Sequence, residues 1–397
     1  MLLSPSVFRD LVLLTATAPL FYYGLAIYAS ESFFRSKRKA GQIDRSVAPA
    51  VSILKPVRGV DREAYENFAS MCALDYPQYE IIFAVAERTD PVLGVLERLR
   101  ADFPRCAIRV IVGIEQLGTC RKTNNLCRLA KEARYELLVI NDADVRVGPE
   151  YLWQVVEPFQ DAKVGLVTAL FRSRTDGSFA AELDAVGVPS DATANTLLAW
   201  RFAKIDFALG WTMAVTKQRL EEIGGFESIA NMHSDDFALG NAVARHGYRV
   251  ELMREPVVMV FPGETLRQFL AHELRWCTQL RNLRLTGYLG MFLTFGLAWS
   301  VIVAAVAPSW KVAAGYVGAY AVLRLAMAWS TGVRGLDDPT VRRKPWLVYL
   351  RDAANLGIYF ASFFSNTAEW RGVRYRLNGP YMEPVEAADG KAVVRPV

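Results

Sequence analysis

Two uncharged stretches are long enough to cross a lipid bilayer, and they constrain the fold more than any other feature of the sequence. Residues 11–30 and 285–310 contain no Asp, Glu, Lys or Arg, and about 20 apolar residues span the hydrocarbon core. A third stretch, 312–333, contains Arg324 as its only charged residue. We therefore predict an anchor near the N terminus and two further spans, at 287–307 and 312–333. A charge inside a membrane is costly, so Arg324 is expected either to meet a partner or to reach toward an interface.

Basic clusters set the expected orientation of these spans. They follow the first and the third apolar stretch and consist of Arg35, Lys37, Arg38, Lys39 and Arg45, and of Arg334, Arg342, Arg343 and Lys344. Because basic loops stay in the cytoplasm, the long central region and the loop 334–344 are predicted to be cytosolic. The basic residues lie after the first apolar stretch and not before it, and this distribution of charge favours an uncleaved anchor over a cleaved signal peptide. In a bacterium, the protein would be a multi-pass protein of the inner membrane.

Overall composition excludes several classes of function. The chain has 46 Lys and Arg against 41 Asp and Glu, a net charge of +5 over 397 residues. A net charge this small does not indicate a nucleic-acid-binding protein. Its five cysteines form no CxxC pair and do not resemble a disulfide framework. Only three histidines are present, which argues against a zinc site built on several His ligands.

The central region has the pattern of an α/β domain. Short apolar runs alternate with amphipathic helical patterns, and these runs occupy 51–57, 79–85, 108–113, 136–142 and 164–170. Near-continuous apolar strands predict a mostly parallel sheet that is covered on both faces. Neither GxGxxG nor GxxxxGK[ST] is present, so dinucleotide-binding and P-loop folds are not supported. In such sheets, ligands bind beyond the carboxyl ends of the strands.

Acidic residues follow two of these strands. Glu87 and Asp90 come after the second run, Asp142 ends the fourth run, and Asp144 follows it by two residues. The spacing of Asp142 and Asp144 lets two carboxylates face one hard cation, Mg²⁺ or Mn²⁺. The alternative is a turn in which Asp caps the following helix.

Two further motifs combine polar groups with helical patterns. Asp235 and Asp236 begin a predicted helix that ends at Arg245; a helix N-cap needs one carboxylate, so the second is available for chemistry. His272, Arg275 and Trp276 lie in a helical pattern over 266–284, which mixes Arg and apolar residues as a membrane-surface helix does. An arginine beside an aromatic ring also suits a diphosphate.

Together these motifs resemble the family 2-like glycosyltransferases with a D, DxD, D, (Q/R)xxRW pattern. The resemblance is closest to the ceramide glucosyltransferase family and its bacterial relatives, including the hopanoid-associated glycosyltransferases. It covers roughly residues 51–285 and rests on LKPVRGVD (54–61), LDYPQYE (74–80), RKTNNL (121–126), NDAD (141–144), SDDF (234–237) and HELRW (272–276), with Trp370-Arg371 and Tyr375-Arg376-Leu377 in the tail.

The resemblance implies a GT-A-type nucleotide-diphospho-sugar transferase fold and a role for each matching acid. Asp236 would be the catalytic base, and Asp142 and Asp144 would bind the donor diphosphate through Mg²⁺ or Mn²⁺. Asp90 would be the first aspartate of the D, DxD, D pattern and would lie near the nucleotide.

The resemblance also assigns the neighbouring polar residues. Lys122 would help to hold the donor, and Arg275 and Trp276 would close over the diphosphate or the acceptor. The chain departs from the pattern twice, because Glu87 stands where relatives often have Asp and His272 replaces Gln or Arg at the start of the RW motif. By their positions in the pattern, both are still expected to bind the donor.

The implied reaction is inverting transfer of a hexose from a UDP-sugar to a lipid hydroxyl, with UDP-glucose and ceramide favoured. A hopanoid or diacylglycerol is the alternative acceptor, and galactose, N-acetylglucosamine and glucuronate are alternative sugars. A polysaccharide synthase and an inactive nucleotide-sugar-binding membrane protein are the rival functions. Expected partners are the donor, the acceptor and membrane lipids, and no nucleic acid.

The predicted segments follow one another along the chain. They are an anchor (1–33), a basic linker (34–50), the GT-A catalytic domain (51–264), an interface helix (265–286), two transmembrane helices (287–333), a cytosolic loop (334–344), an interfacial, re-entrant or transmembrane segment (345–367) and a tail (368–397).

Overall fold

A computed structural model describes residues 4–39, 41–113, 115–370 and 373–385. The chain forms two compact units. The α/β unit comprises Ala40–Arg174, Lys204–Pro262 and Arg371–Val397, and the helical unit comprises Met1–Lys39, Thr175–Ala203 and Gly263–Trp370. Arg371, in the predicted tail motif, lies outside the described residues.

The secondary structure is given in chain order. The α-helices are α1 (Pro5–Thr15), α2 (Ala18–Lys39), α3 (Ala64–Cys72), α4 (Val92–Asp102), α5 (Arg121–Glu132), α6 (Tyr151–Val156), α7 (Phe179–Gly187), α8 (Ala194–Phe202), α9 (Lys217–Glu222), α10 (Asp235–Arg245), α11 (Leu266–Leu283), α12 (Leu285–Gly290), α13 (Gly296–Val306), α14 (Trp310–Ala328), α15 (Pro339–Arg343) and α16 (Leu347–Ala361). The strands are β1 (Val51–Val57), β2 (Tyr79–Val85), β3 (Ile108–Val112), β4 (Leu137–Ile140), β5 (Val145–Arg146), β6 (Val164–Thr168), β7 (Phe171–Arg174), β8 (Met213–Thr216), β9 (Arg249–Leu252), β10 (Val257–Val260), β11 (Thr367–Trp370), β12 (Val373–Asn378) and β13 (Tyr381–Pro384). Two π-helices, Val188–Thr193 and Trp329–Gly335, continue α7 and α14.

A seven-stranded sheet forms the centre of the α/β unit, in the order β3-β2-β1-β4-β8-β6-β9. Its strands pair in parallel except for β8, which is antiparallel to β4 and β6. The side chains of β4 and β6 are buried throughout, as expected for strands that are covered on both faces. The predicted mostly parallel sheet is confirmed, and the five apolar runs are its strands β1, β2, β3, β4 and β6.

Smaller sheets complete the α/β unit. Strands β5, β10 and β7 form a second sheet just beyond the end of β4. Strands β12 and β13 form a hairpin, and its turn contacts the chain before α10: His233 N–H donates to Pro380 O at 3.0 Å. The tail motif that carries the resemblance is therefore folded against the segment that precedes Asp235 and Asp236.

The helical unit contains the apolar segments. The helices over Pro5–Lys39 and Trp310–Gly335 are long and apolar enough to cross a membrane. The pair Leu285–Thr294 and Gly296–Val306 passes the same test together but is bent by 56°, as a broken span or a re-entrant loop would be. The described residues therefore contain two helices of spanning length, or three if the bent pair is one span. Helix α16 has 15 residues, fewer than the about 20 of a perpendicular span.

Arg324 in α14 has partners inside the helical unit. Its Nε lies 3.0 and 2.9 Å from the carboxylate oxygens of Asp352 in α16, and its Nη2 lies 3.0 Å from Oδ1 of Asp191. Asp191 belongs to the segment Thr175–Ala203, which lies between β7 and β8 in sequence but groups with the helical unit. Of the two expectations for this buried arginine, the one in which it meets a partner is confirmed.

Candidate active site

The end of β4 is fixed by a buried hydrogen-bonding network around Asn141. The Asn141 amide donates to Tyr151 Oη at 2.9 Å, to Trp211 O at 2.9 Å and to Thr212 Oγ1 at 3.0 Å. A buried amide with several partners holds one conformation. The chain therefore leaves the sheet in a defined direction, and the next residues are Asp142 and Asp144.

Lys122 joins two of the predicted acids. It lies in the first turn of α5, and its Nζ is 2.7 Å from Asp142 Oδ1 and 3.0 Å from Oδ2 of Asp235, which begins α10. Burial alone would lower the pKa of Lys122, but the carboxylates of Asp142 and Asp235 outweigh it and raise that pKa well above its usual value. The ammonium is therefore permanently charged, and it holds α5, α10 and the end of β4 together.

Asp236 lies beside this ion pair, and a glycine separates it from Asp142. The Gly210 N–H donates to Asp236 Oδ2 at 3.2 Å. A Cβ at Gly210 would lie 3.2 Å from Asp142 Oδ2 and 3.3 Å from Asp236 Oδ2, so the two carboxylates approach each other over a position without a side chain. Burial, and then the charge of Asp235, raise the pKa of Asp236 to about 6. Asp236 is therefore ionised at neutral pH and still able to accept a proton.

Asp144 and Lys55 form the second half of the site. Lys55, fully buried on β1, donates to the Asp142 carbonyl at 2.6 Å. Burial lowers the pKa of Lys55 to about 8 although Asp144 and Asp142 oppose the shift. Burial, and then Asp142 and Asp61, raise the pKa of Asp144 to about 7. The carboxyl groups of Asp142, Asp144 and Asp61 therefore outnumber the cationic groups beside Lys55.

The residues around Asp144 fit a hard divalent cation. Within the described part of the chain, the buried Asp144 Oδ1 has no hydrogen-bond partner, and a buried oxygen without a partner is costly. The carboxylates that raise its pKa are the oxygen donors that Mg²⁺ and Mn²⁺ prefer. These residues fit such an ion, and its binding by Asp142 and Asp144 stays a prediction.

Asp90 and Glu87 follow β2 but differ in their surroundings. Both Asp90 oxygens accept the Gly59 N–H, at 2.9 and 3.0 Å, and Oδ1 also accepts the Val92 N–H at 2.9 Å. Asp90 therefore fixes the loop that follows β1. Glu87 is exposed, 3.8 Å from Arg121 at the start of α5.

The residues of the RW motif lie in α11 of the helical unit. The helix begins with a capping box formed by Thr265 and Gln268, and the rings of His272 and Trp276 are 4.2 Å apart. The Trp276 side chain is partly exposed, at 36%. The predicted roles of these residues toward the donor stay predictions.

The structure brings the predicted residues Lys122, Asp142, Asp144 and Asp236 together at the end of β4, and it adds Lys55 and Gly210, which the sequence did not single out. Lys55 stands in the quoted LKPV motif, and its position on a buried strand was the available signal. Gly210 has no local signal, because its role comes from the approach of two distant acids.

Comparisons with known proteins place these features in a family. The family model described as Glycosyl transferase family 21 matches residues 11–380. Ceramide glucosyltransferase 3 of Caenorhabditis elegans is 24% identical over 232 residues, which are 58% of this chain and 50% of the relative. The ceramide glucosyltransferase of Komagataella phaffii is 32% identical over 146 residues, 34% of this chain and 28% of the relative. The beta-monoglucosyldiacylglycerol synthase of Nostoc sp. is 28% identical over 145 residues, 36% of this chain and 30% of the relative. The chain thus spans half or less of the length of these relatives.

A solved structure supports the fold over nearly the whole chain. The mannosyltransferase PcManGT from Pyrobaculum calidifontis, in complex with GDP-Man and Mn²⁺, superimposes with a TM-score of 0.58 and 19% sequence identity. The match covers 90% of this chain and 99% of that protein. Together with the mostly parallel sheet, it confirms the predicted GT-A-type fold with apolar helices near both ends.

Proposed function

The chain belongs to glycosyl transferase family 21, and from that premise we propose that it transfers a hexose from a UDP-sugar to a lipid hydroxyl with inversion. UDP-glucose and ceramide are the favoured substrates, because curated relatives are ceramide glucosyltransferases. Diacylglycerol is the second acceptor candidate, because the Nostoc relative is a monoglucosyldiacylglycerol synthase. A hopanoid acceptor rests on the sequence resemblance alone.

One observation carries the proposal: three kinds of group needed for sugar transfer meet at the end of β4. Asp236 is a carboxylate with a pKa near 6, Lys122 is a charged ammonium within 3.0 Å of two acids, and Asp144 has an unsatisfied buried oxygen in the described structure. An ion pair that only stabilises the fold would need one ammonium and one carboxylate. The third, Asp144, is costly without a ligand.

Asp236 is the proposed general base. A lipid hydroxyl attacks the anomeric carbon, its proton passes to the Asp236 carboxylate, and the bond between that carbon and the UDP oxygen breaks. Attack from the face opposite UDP inverts the configuration and gives a β-glycoside from an α-linked donor. The leaving group departs as an anion, so one carboxylate suffices, unlike the two of a glycoside hydrolase.

The donor diphosphate would be held by charge. Asp142 and Asp144 would bind Mg²⁺ or Mn²⁺, which neutralises the charge of a departing diphosphate. The Lys122 ammonium is already positioned by Asp142 and Asp235 and would donate to a phosphate oxygen. Lys55 holds the Asp142 backbone from the sheet side.

The remaining assignments rest on the sequence resemblance. Arg275 and Trp276 would close over the diphosphate or acceptor, and Glu87 and Asp90 would lie near the nucleotide. For Asp90, its hydrogen bonds to Gly59 and Val92 support a role in shaping the loop after β1.

The helical unit would supply the membrane attachment that a lipid acceptor requires, with the catalytic domain in the cytosol and several spans in the inner membrane of a bacterium. A polysaccharide synthase is less well supported, because the described residues contain at most three helices or helix pairs of spanning length. So few spans do not form a long channel for a growing polymer.

The test is transfer by the purified full chain in lipid micelles. UDP-glucose, UDP-galactose, UDP-N-acetylglucosamine and UDP-glucuronate are each supplied with ceramide, diacylglycerol or a hopanoid, and the lipid phase is analysed by mass spectrometry. We expect one hexose on ceramide from UDP-glucose, formed roughly 10²-fold or more slowly with Asp236→Asn. Donor binding without transfer to any lipid would support a binding protein instead, and a water-soluble polymer would support a polysaccharide synthase.

A further inference from the structure

The helical unit contains a second cluster of titratable side chains, in addition to the acids at the end of β4 in the α/β unit. Asp184 lies in α7, Glu264 precedes α11 and His272 lies in α11. One ligand atom from each residue lies within 4.8 Å of the other two. We call these three residues the histidine cluster.

One buried oxygen of each carboxylate in the histidine cluster makes no hydrogen bond within the described residues. Asp184 is 2% exposed, and its Oδ2 makes no hydrogen bond within the described ranges; the nearest cationic candidate is His272 Nδ1, at 3.5 Å. Glu264 Oε1 is likewise buried and makes no hydrogen bond there. Two buried carboxylate oxygens that face one imidazole without hydrogen bonds are costly unless a proton or a metal ion lies between them.

The surrounding charges leave an excess that a dication would balance. Arg351 in α16 lies 2.5 Å from Glu273 Oε2 and 3.5 Å from Asp184 Oδ1. Three carboxyl groups, those of Asp184, Glu264 and Glu273, stand against one guanidinium, that of Arg351, so acidic groups outnumber basic ones around the histidine cluster. Gly187 makes room for this arginine, because a Cβ there would lie 2.6 Å from Arg351 Cζ.

We propose that Asp184, Glu264 and His272 bind one Zn²⁺ ion. One imidazole nitrogen and two carboxylate oxygens suit a borderline metal, and three protein ligands leave the fourth tetrahedral position for water. The oxygen-only pair Asp142 and Asp144 instead suits Mg²⁺ or Mn²⁺. Although the sequence argues against a site with several His ligands, this site needs only one.

The ion would connect the start of α11 to α7. Contact between the rings of His272 and Trp276, at 4.2 Å, orients the imidazole toward Asp184. This gives His272 a function that the Gln or Arg expected at its position cannot supply, because neither side chain is a good zinc ligand. The proposal does not depend on the proposed sugar transfer.

The test measures zinc content of the purified full chain. Protein is stripped with a chelator, supplied with excess Mg²⁺ to occupy oxygen-only sites, dialysed against micromolar Zn²⁺ and analysed by mass spectrometry of the metal. We expect one Zn²⁺ per chain in the wild type, in Asp144→Asn and in the control His246→Gln, which removes an exposed histidine. Glu264→Gln and His272→Gln should bind Zn²⁺ at least tenfold more weakly.

A second readout is the midpoint of thermal unfolding, which Zn²⁺ should raise in the wild type but not in Glu264→Gln, because only a ligand of the folded state stabilises it. Full zinc content in folded Glu264→Gln or His272→Gln would overturn the proposal, as would loss of zinc in Asp144→Asn or absence of zinc in the wild type. If His272→Gln does not fold, the half-buried Glu264→Gln decides the question.

Discussion

Acidification is expected to slow sugar transfer by protonating Asp236. A general base acts only when it is deprotonated, and burial followed by the charge of Asp235 raises the pKa of Asp236 to about 6. About nine tenths of the Asp236 side chains are then ionised at pH 7 and about one tenth at pH 5. The rate of transfer should therefore fall roughly tenfold from pH 7 to pH 5, and a logarithmic plot of rate against pH should approach a slope of one only below the pKa of Asp236.

Two neighbours of Asp236 should move this profile in opposite directions. Lys122 lowers the pKa of Asp236 and Asp235 raises it. Lys122→Met is therefore expected to shift the midpoint of the profile to higher pH, and Asp235→Asn to shift it to lower pH.

The assay is the initial rate of lipid glycosylation from pH 5 to pH 8, at saturating UDP-sugar, lipid and metal. All variants are measured at one metal concentration. Differences between the midpoints of their pH profiles therefore reflect the substituted side chains. A wild-type rate that stays constant from pH 7 to pH 5 would refute the assignment of Asp236, and so would a shift of both variants in the same direction.

Three further predictions concern the donor site and the membrane topology. Asp144→Asn should fold but lose transfer at any Mg²⁺ or Mn²⁺ concentration, since an amide does not replace an anionic ligand of a hard cation; full activity, measured by product formation, would contradict the metal role. Gly210→Ala should lower kcat at least tenfold with little change in the unfolding temperature, because its Cβ would contact two carboxylate oxygens at 3.2 and 3.3 Å. A wild-type kcat in that variant would show that the spacing of the two acids does not matter. Cysteines at the exposed positions Ser36 and Arg343 should be labelled by an impermeant reagent from the cytoplasmic side, and labelling only from the outside would overturn the predicted orientation.

The strands and the acids at their ends were predictable because both depend on local sequence. Each of the runs 51–57 and 79–85 is nearly continuous in apolar residues, and each forms a strand with these bounds. In a parallel sheet the strand ends share one edge, which places Asp142 with the groups that follow β1 and β2.

What the sequence did not reveal depends on contacts between distant segments. Strand β8 has only four residues and enters the sheet antiparallel between β4 and β6, and no local pattern distinguishes it from a loop. Gly210 acts through two carboxylates from other elements. The partner of Arg324 in the segment 175–203 was equally hidden, because that segment lies in sequence between two strands of the α/β unit.

The most direct test of the central claim is the anomeric configuration of the lipid product. Purified protein is incubated with UDP-glucose, ceramide and Mn²⁺, and the extracted glycolipid is examined by proton nuclear magnetic resonance of the anomeric proton. The proposal of direct attack with Asp236 as the base predicts a β-linked glucosyl lipid from the wild type and a rate lower by roughly 10²-fold or more with Asp236→Asn. An α-linked product, or an unchanged rate in Asp236→Asn, would contradict it.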